Sequence, residues 1–176
     1  MKSLKNRNIC WTVIGLGNIA NKFATDLLTV EGAELYAVAS RTQQKSDDFA
    51  KKYQAIKAYS SYEALVNDEN IDAVYIATPH SLHKENTLLC LEQGKAVLWE
   101  KPFAMNIDEV NSMIAAATTK HNTLLMEGLW TYFLPHYHFV LAELSRKTYG
   151  SLLRIEADFG FVKVFNEESW LFKWLT

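Results

Sequence analysis

The 176-residue sequence holds little cysteine, only Cys10 and Cys90. Two cysteines in a chain this long make no disulfide framework, and they read as buried free thiols in a reducing compartment. Charge of one sign is not in excess either. The 18 Lys and Arg stand against 20 Asp and Glu, a formal net charge of -2, and no Lys/Arg-rich tract occurs. Neither nucleic acid nor an anionic membrane surface is therefore an expected partner. No apolar stretch is long enough to span a bilayer. The N-terminal MKSLKNRNICWTVIG starts basic, but its apolar run is short, holds Thr and Gly, and offers no small-residue cleavage site. No signal peptide is expected, and the cytoplasm is the expected location. Internal repeats and low-complexity linkers are missing as well. The composition that remains, 49% hydrophobic and 22% charged, is that of a globular protein. A chain of this length buries about two-thirds of its unfolded surface without staples.

Apolar runs alternate with segments of helical period. Ile9–Ile14, Ala33–Ala39, Ala73–Ala77, Ala96–Trp99 and Thr123–Met126 read as short buried strands. Between them, 18–30 shows Ile19, Phe23, Leu27 and Val30 on one helical face. Residues 42–53 form a polar helix with Phe49 and Tyr53 turned inward. Ser60 and Glu63 fit a capping box that opens a short helix. Pro79 breaks the chain, 81–93 returns to helical period, and Gly94 sits where a C′ glycine belongs. Asn106 and Glu109 form a second capping box, whose helix is expected to bury Ile107, Val110, Met113, Ile114 and Ala117. Such alternation predicts an α/β fold, a doubly wound parallel sheet with helices on both faces. Ligands of such sheets sit at the carboxyl ends of the strands.

The pattern changes after about Glu127. Residues 135–146 read as a helix rich in His and aromatics. In 151–161, Leu153, Ile155, Ala157, Phe159 and Phe161 alternate with Leu152, Arg154, Glu156, Asp158 and Gly160. Period two over that length predicts a long, half-buried strand of an antiparallel sheet. The expected organisation is a dinucleotide-binding domain over 1–126. Residues 127–176 would then begin a second, mostly antiparallel α+β domain that the chain does not complete.

Chemistry concentrates at the strand ends. Gly15-Leu16-Gly17-Asn18-Ile19-Ala20 is G-x-G-x-x-A between a strand and a helix. Gly15 permits the turn, Gly17 admits a pyrophosphate, and Ala20 allows close helix packing. The free N–H groups at the helix start, around Asn18 and Ile19, favour phosphate. A ligand-free glycine turn and a methyl-donor site on a related fold are the alternatives. Ser40-Arg41-Thr42 closes the second strand, where NAD-specific folds place a carboxylate for the ribose 2′-hydroxyl. None stands here. Arg41 pairs well with a 2′-phosphate and Ser40 and Thr42 carry hydroxyls, so NADP is favoured over NAD. Thr78, Pro79 and His80 follow the third buried strand and should face the cofactor, with His83 one helical turn on. His83 reads as a helix-start hydrogen-bonding residue rather than a catalyst, and zinc would need more ligands than this neighbourhood holds. Glu100-Lys101-Pro102 follows the next strand. A lysine there can donate to a substrate oxygen and stabilise developing alkoxide, with Glu100 holding its ammonium; otherwise it is a surface charge. The aromatic run around Trp130 and Phe133 is either an interdomain hinge or a wall of a pocket for a sugar-like ligand.

Taken together, GLGNIA, SRT, ATPHSLH, EKP and MEGLWTYFLP resemble the Gfo/Idh/MocA oxidoreductase family. The last segment is similar to the branch of dihydrodiol dehydrogenases and NADP-dependent D-xylose dehydrogenases. The resemblance implies a Rossmann domain followed by an open, mostly antiparallel domain. It implies a homo-oligomer, a dimer in that branch, and NADP-linked hydride transfer on a secondary alcohol of a sugar or cyclic diol. It makes Lys101 catalytic. The family's second catalytic His or Tyr follows a glycine-rich motif in the second domain, and that motif does not occur in these 176 residues. The alternative is a non-catalytic nucleotide-binding module that self-associates through the unfinished sheet.

Overall fold

The computed structural model describes residues 7–119 and 122–158 together with Gly160, Val162 and Val164. The chain divides into two compact units, Met1–Trp130 and Thr131–Thr176.

In the first unit six strands, β1 (Ile9–Ile14), β2 (Ala33–Ala39), β3 (Lys57–Tyr59), β4 (Ala73–Ile76), β5 (Ala96–Trp99) and β6 (Leu125–Glu127), form one sheet in the order 3-2-1-4-5-6. All five pairings are parallel. This is the doubly wound order, and its direction reverses between β1 and β4. The alternating sides of each strand feed two cores. On one face α1 (Asn18–Leu27) and α2 (Gln43–Tyr53) pack Ala20, Ala24, Leu27, Phe49 and Tyr53 over Val13, Leu35, Val38 and Tyr75. On the other, α3 (Tyr62–Val66), α4 (His83–Glu92) and α5 (Ile107–Thr119) bring Leu65, Cys90, Leu91 and Ala117 onto Ile14, Val74, Ile76, Val97 and Trp99. Burial on both faces is why the strands are almost continuously apolar.

Several expectations are corrected. Helix α1 ends at Leu27 and buries Ala20, Ala24 and Leu27, while Ile19 and Val30 are exposed. Small residues four apart let the helix sit close to the sheet, which turns Ile19 toward solvent. The cap of α3 is Ser61, not Ser60: its Oγ accepts from Ala64 N at 3.1 Å. On α5 the buried positions are Met113 and Ala117, with Val110 partly buried, whereas Ile107 and Ile114 are exposed on an adjacent stripe. Asn106 does cap that helix, accepting from Glu109 N at 3.0 Å. The sequence pattern does not announce β3, and it places the last strand two residues early. Cys90 is fully buried, and burial pushes its thiol up to about 12; Cys10 is only partly buried, and both are free.

In the second unit α6 (Pro135–Ser145) forms as expected, with proline in its first turn. Ahead of it the Tyr132 ring touches Phe133, Tyr137 and His138. Residues 152–158, expected in a long strand, belong to no helix or strand, and Leu153 is 94% exposed. A strand needs a ladder partner, and the described residues supply none. Phe159 and Phe161 lie outside the described residues. No helix among the described residues is long and apolar enough to cross a membrane.

Candidate functional site

The strand carboxyl ends bring most of the expected residues to one edge of the sheet. Gly15 and Gly17 end β1 and open α1, and they have different reasons to be glycine. Gly15 has φ +83, and a Cβ there would lie 2.6–2.8 Å from the Ala77–Thr78 backbone. The protein itself demands this glycine, because β1 and β4 approach at the reversal point. Gly17 has φ -97, ordinary for any residue, and nothing lies within 4 Å of where a Cβ would be. No side chain caps the α1 N-terminus at Gly17. Empty space, a glycine and uncapped N–H groups together form a cradle that a pyrophosphate fits. Asn18 and Ile19 are exposed in its first turn. Asn21 braces the turn: its Nδ2 donates to Gly17 O at 2.8 Å, while its Oδ1 accepts from Lys52 Nζ and Tyr53 OH, each at 2.8 Å.

At the end of β2, Arg41 and Thr42 are exposed, and Thr42 precedes α2 as its N-cap residue without a side-chain cap hydrogen bond. Arg41 thus directly precedes a second helix start without a side-chain cap, a setting that suits a phosphate monoester. Beside it opens a cleft of about 360 Å³ lined by Ser60, Ser61, Tyr62, Glu85 and Asn86. Ser40 departs from expectation. It is 5% exposed, and its Oγ donates to Thr42 O at 2.7 Å and accepts from Thr42 N at 3.2 Å. That proton is committed to shaping the turn, so Ser40 positions Arg41 rather than donating to a ligand.

At the end of β4, Pro79 is exposed, and His80 opens a 3-10 turn that runs into α4. The Thr78 hydroxyl accepts from Asn86 Nδ2 at 2.9 Å, which fixes the turn. Burial, then the neighbouring His83 and Lys101, hold His80 below its usual value. His83 cannot reach a ligand, because it is fully buried. Its ring nitrogens lie 3.0 Å from Pro102 O and 3.1 Å from Thr78 O, so it links the β4 and β5 turns.

The Glu100-Lys101-Pro102 turn is anchored from several sides. Glu100 N donates to Ile76 O at 3.0 Å. Trp99, fully buried, sends its indole N–H to Phe103 O at 2.9 Å and closes the turn beneath. Tyr75 OH donates to Glu100 Oε1. Lys101 is exposed at the crown of this braced turn. Tyr75 and Trp99 are the residues that sequence reasoning missed; inside apolar strands they pass for packing. Trp130 and Phe133 are 60% and 58% exposed on one 3-10 turn. A larger cavity, about 460 Å³, opens at the opposite, amino-terminal edge, lined by Trp11, Ala73, Leu98 and Met126 among others. It lies away from the glycine turn and Lys101.

Comparison with known proteins agrees with this geometry. The Gfo/Idh/MocA model, an oxidoreductase family with an NAD-binding Rossmann fold, matches residues 9–128. The chain belongs to that family. It is 42% identical over 153 residues to trans-1,2-dihydrobenzene-1,2-diol dehydrogenase of Mus musculus, covering 86% of this chain and 46% of that one. The Homo sapiens protein of the same name is 39% identical over 152 residues, covering 85% and 45%. The chain thus spans about half the length of the curated relatives it matches. Among solved structures, the 3-ketoreductase KijD10 of Actinomadura kijaniata, in complex with TDP-benzene and NADP, superposes with a TM-score of 0.76 at 29% identity. That match covers 82% of this chain and 45% of KijD10. Myo-inositol 2-dehydrogenase of Lactobacillus plantarum shares the fold, with a TM-score of 0.74 at 22% identity over 81% of this chain and 42% of that one.

Proposed function

We propose that this chain is the cofactor-binding part of an NADP(H)-dependent dehydrogenase acting on a secondary alcohol of a sugar or cyclic diol. In this reading, residues 1–126 hold the dinucleotide, and 127–176 begin a substrate and oligomerisation domain. The observation that carries it is Gly17, a glycine that nothing in the protein requires, at an uncapped helix start. The names of the relatives support the reaction class, and the NADP bound to KijD10 supports the cofactor.

The α1 N-terminus at Gly17, Asn18 and Ile19 would take the pyrophosphate. Arg41, with Thr42 and the open start of α2, would take the 2′-phosphate, a group that a carboxylate in that position would repel. Thr78, Pro79 and His80 would flank the nicotinamide half beside Glu100. Bound NADP supplies the hydride acceptor, and its reduced form the donor. Lys101 would do the chain's own chemistry: its ammonium would hydrogen-bond the substrate oxygen and stabilise alkoxide there, while the hydroxyl proton would pass to the His or Tyr that the family carries in its second domain. Trp130 and Phe133 offer aromatic surface to the substrate. The setting is cytoplasmic and the assembly a homodimer. Separate titrations with NADPH and NADH test the reading. Tight NADPH and weak NADH binding is the expected result, and binding of neither refutes it.

The exposed stripe of Leu153 and Ile155 favours a second reading, a binding module that self-associates through this segment. A clean monomer at high concentration counts against that reading.

A further inference from the structure

Tyr75 sits in the middle of β4, 3% exposed, with its ring stacked on Phe23 at 3.8 Å between centroids and 10° between planes. Phe23 in turn meets Trp11 edge to face at 5.7 Å. The ring therefore cannot swing away, and packing alone would be served equally by phenylalanine. The hydroxyl is extra. A buried tyrosine oxygen needs a partner, and this one takes the carboxylate of Glu100. The β4–β5 register, Tyr75 opposite Leu98 and Ile76 opposite Trp99, makes that reach possible. Trp99 points to the other face and holds Phe103 O, and His83 holds Pro102 O on that same side. The turn is thus gripped at its start from the α1 face and at its end from the α4 face, with Lys101 between.

We propose that Tyr75 is a positioning residue for the nicotinamide half of the site, acting through Glu100. Its hydroxyl claims Oε1 and so fixes the direction of Oε2 and the backbone that carries Lys101. The inference rests on the NADP(H) reading above and adds to it a division of labour. Arg41 and the α2 start serve the adenosine half, while Tyr75 serves only the other.

The test uses the whole chain and two probes, NADPH and adenosine 2′,5′-bisphosphate, which carries the 2′-phosphate but no nicotinamide. Tyr75→Phe keeps the stack on Phe23 and removes the hydroxyl. NADPH affinity should fall roughly two- to tenfold, because binding must then order the freed Glu100 side chain. Affinity for the bisphosphate should stay unchanged. Because Tyr75 acts through Glu100, Tyr75→Phe added to Glu100→Ala, which leaves Tyr75 no acceptor there, should weaken NADPH no further than Glu100→Ala alone. Equal losses for both probes would mark Tyr75 as structural and overturn the proposal, as would unchanged NADPH affinity or additive losses in the double variant. If the wild-type chain binds neither probe, the cofactor reading itself fails and takes this inference with it. Bisphosphate binding without a Tyr75 effect sinks the inference alone.

Discussion

Replacing each glycine of the β1–α1 turn by alanine should separate folding from binding. Gly17→Ala places a methyl where the protein has open space, at a φ of -97 that alanine adopts readily. Alanine is a poorer N-cap than glycine, but it also restricts the unfolded chain by about 0.4–1 kcal/mol. The two effects nearly cancel, so the melting temperature should move by no more than about 2 °C. The same methyl fills the phosphate cradle. Overpacking of about 1–3 kcal/mol corresponds to roughly 5- to 150-fold weaker NADPH binding. Gly15→Ala behaves in the opposite way. Its φ of +83 costs an L-residue about 1–2 kcal/mol, and its Cβ 2.6 Å from Thr78 N adds about 1–3 kcal/mol. That is a large part of a domain's stability of about 5–15 kcal/mol. Thermal unfolding followed by circular dichroism and titration by NADPH fluorescence measure the two effects. If Gly17→Ala unfolds the chain as badly as Gly15→Ala, or binds NADPH like wild type, the assignment of Gly17 to a ligand is wrong.

Arg41→Ala should cost NADPH about 1.5–3 kcal/mol, or roughly 10- to 150-fold, and leave NADH affinity untouched, a contrast read by paired titrations. Asp68 gathers Lys57 Nζ and Tyr59 OH at 2.7 Å and Asn70 N at 3.0 Å. Burial opposes its charge, but the Lys57 ammonium and the Asn70 and Tyr59 donors outweigh this and hold the carboxyl well below its usual value. A depressed folded-state value means stability that is present above the unfolded carboxylate pKa, about 3.9, and lost as pH falls through it toward the folded value. Asp68→Asn should lower the urea midpoint at pH 7 and flatten its decline below about pH 5; an acid limb identical to wild type would contradict the network. Ser61→Ala should cost about 1 kcal/mol by loss of the α3 cap, while Ser60→Ala should cost almost nothing in the same denaturant titration.

The alternation of strands and helices was legible because a two-sided sheet writes its strands as uninterrupted apolar runs, and AELYAVA and AVYIA do so. The short edge strand β3, Lys57–Tyr59, was not: three half-exposed residues carry no period. Helix faces were legible only approximately. Hydrophobicity marks the stripe at Ile107, Val110 and Ile114, but the sheet decides which edge of it is covered. For the site, glycine spacing, the missing carboxylate at Arg41 and the lysine after β5 were all local signals. The roles of Tyr75 and Trp99 were not local. Each depends on the register between β4 and β5 or on how a turn folds back, which no window of sequence contains. His83 was half legible: its place at a helix start suggested a hydrogen-bonding residue, which it is, but grouping it with the cofactor-facing residues missed that burial makes it a link between two turns.

Cys90 offers a clock for the opening of this fold. Its thiol is sealed in the core shared by α4 and the sheet, and burial pushes it up to about 12, so little thiolate exists while the core is closed. A thiol reagent must therefore wait for α4 to leave the sheet. α4 begins at His83, whose ring joins the two turns of the cofactor edge. The labelling rate at Cys90 thus counts the same excursions that would disassemble that edge, and ligand bound there should slow it in proportion to occupancy.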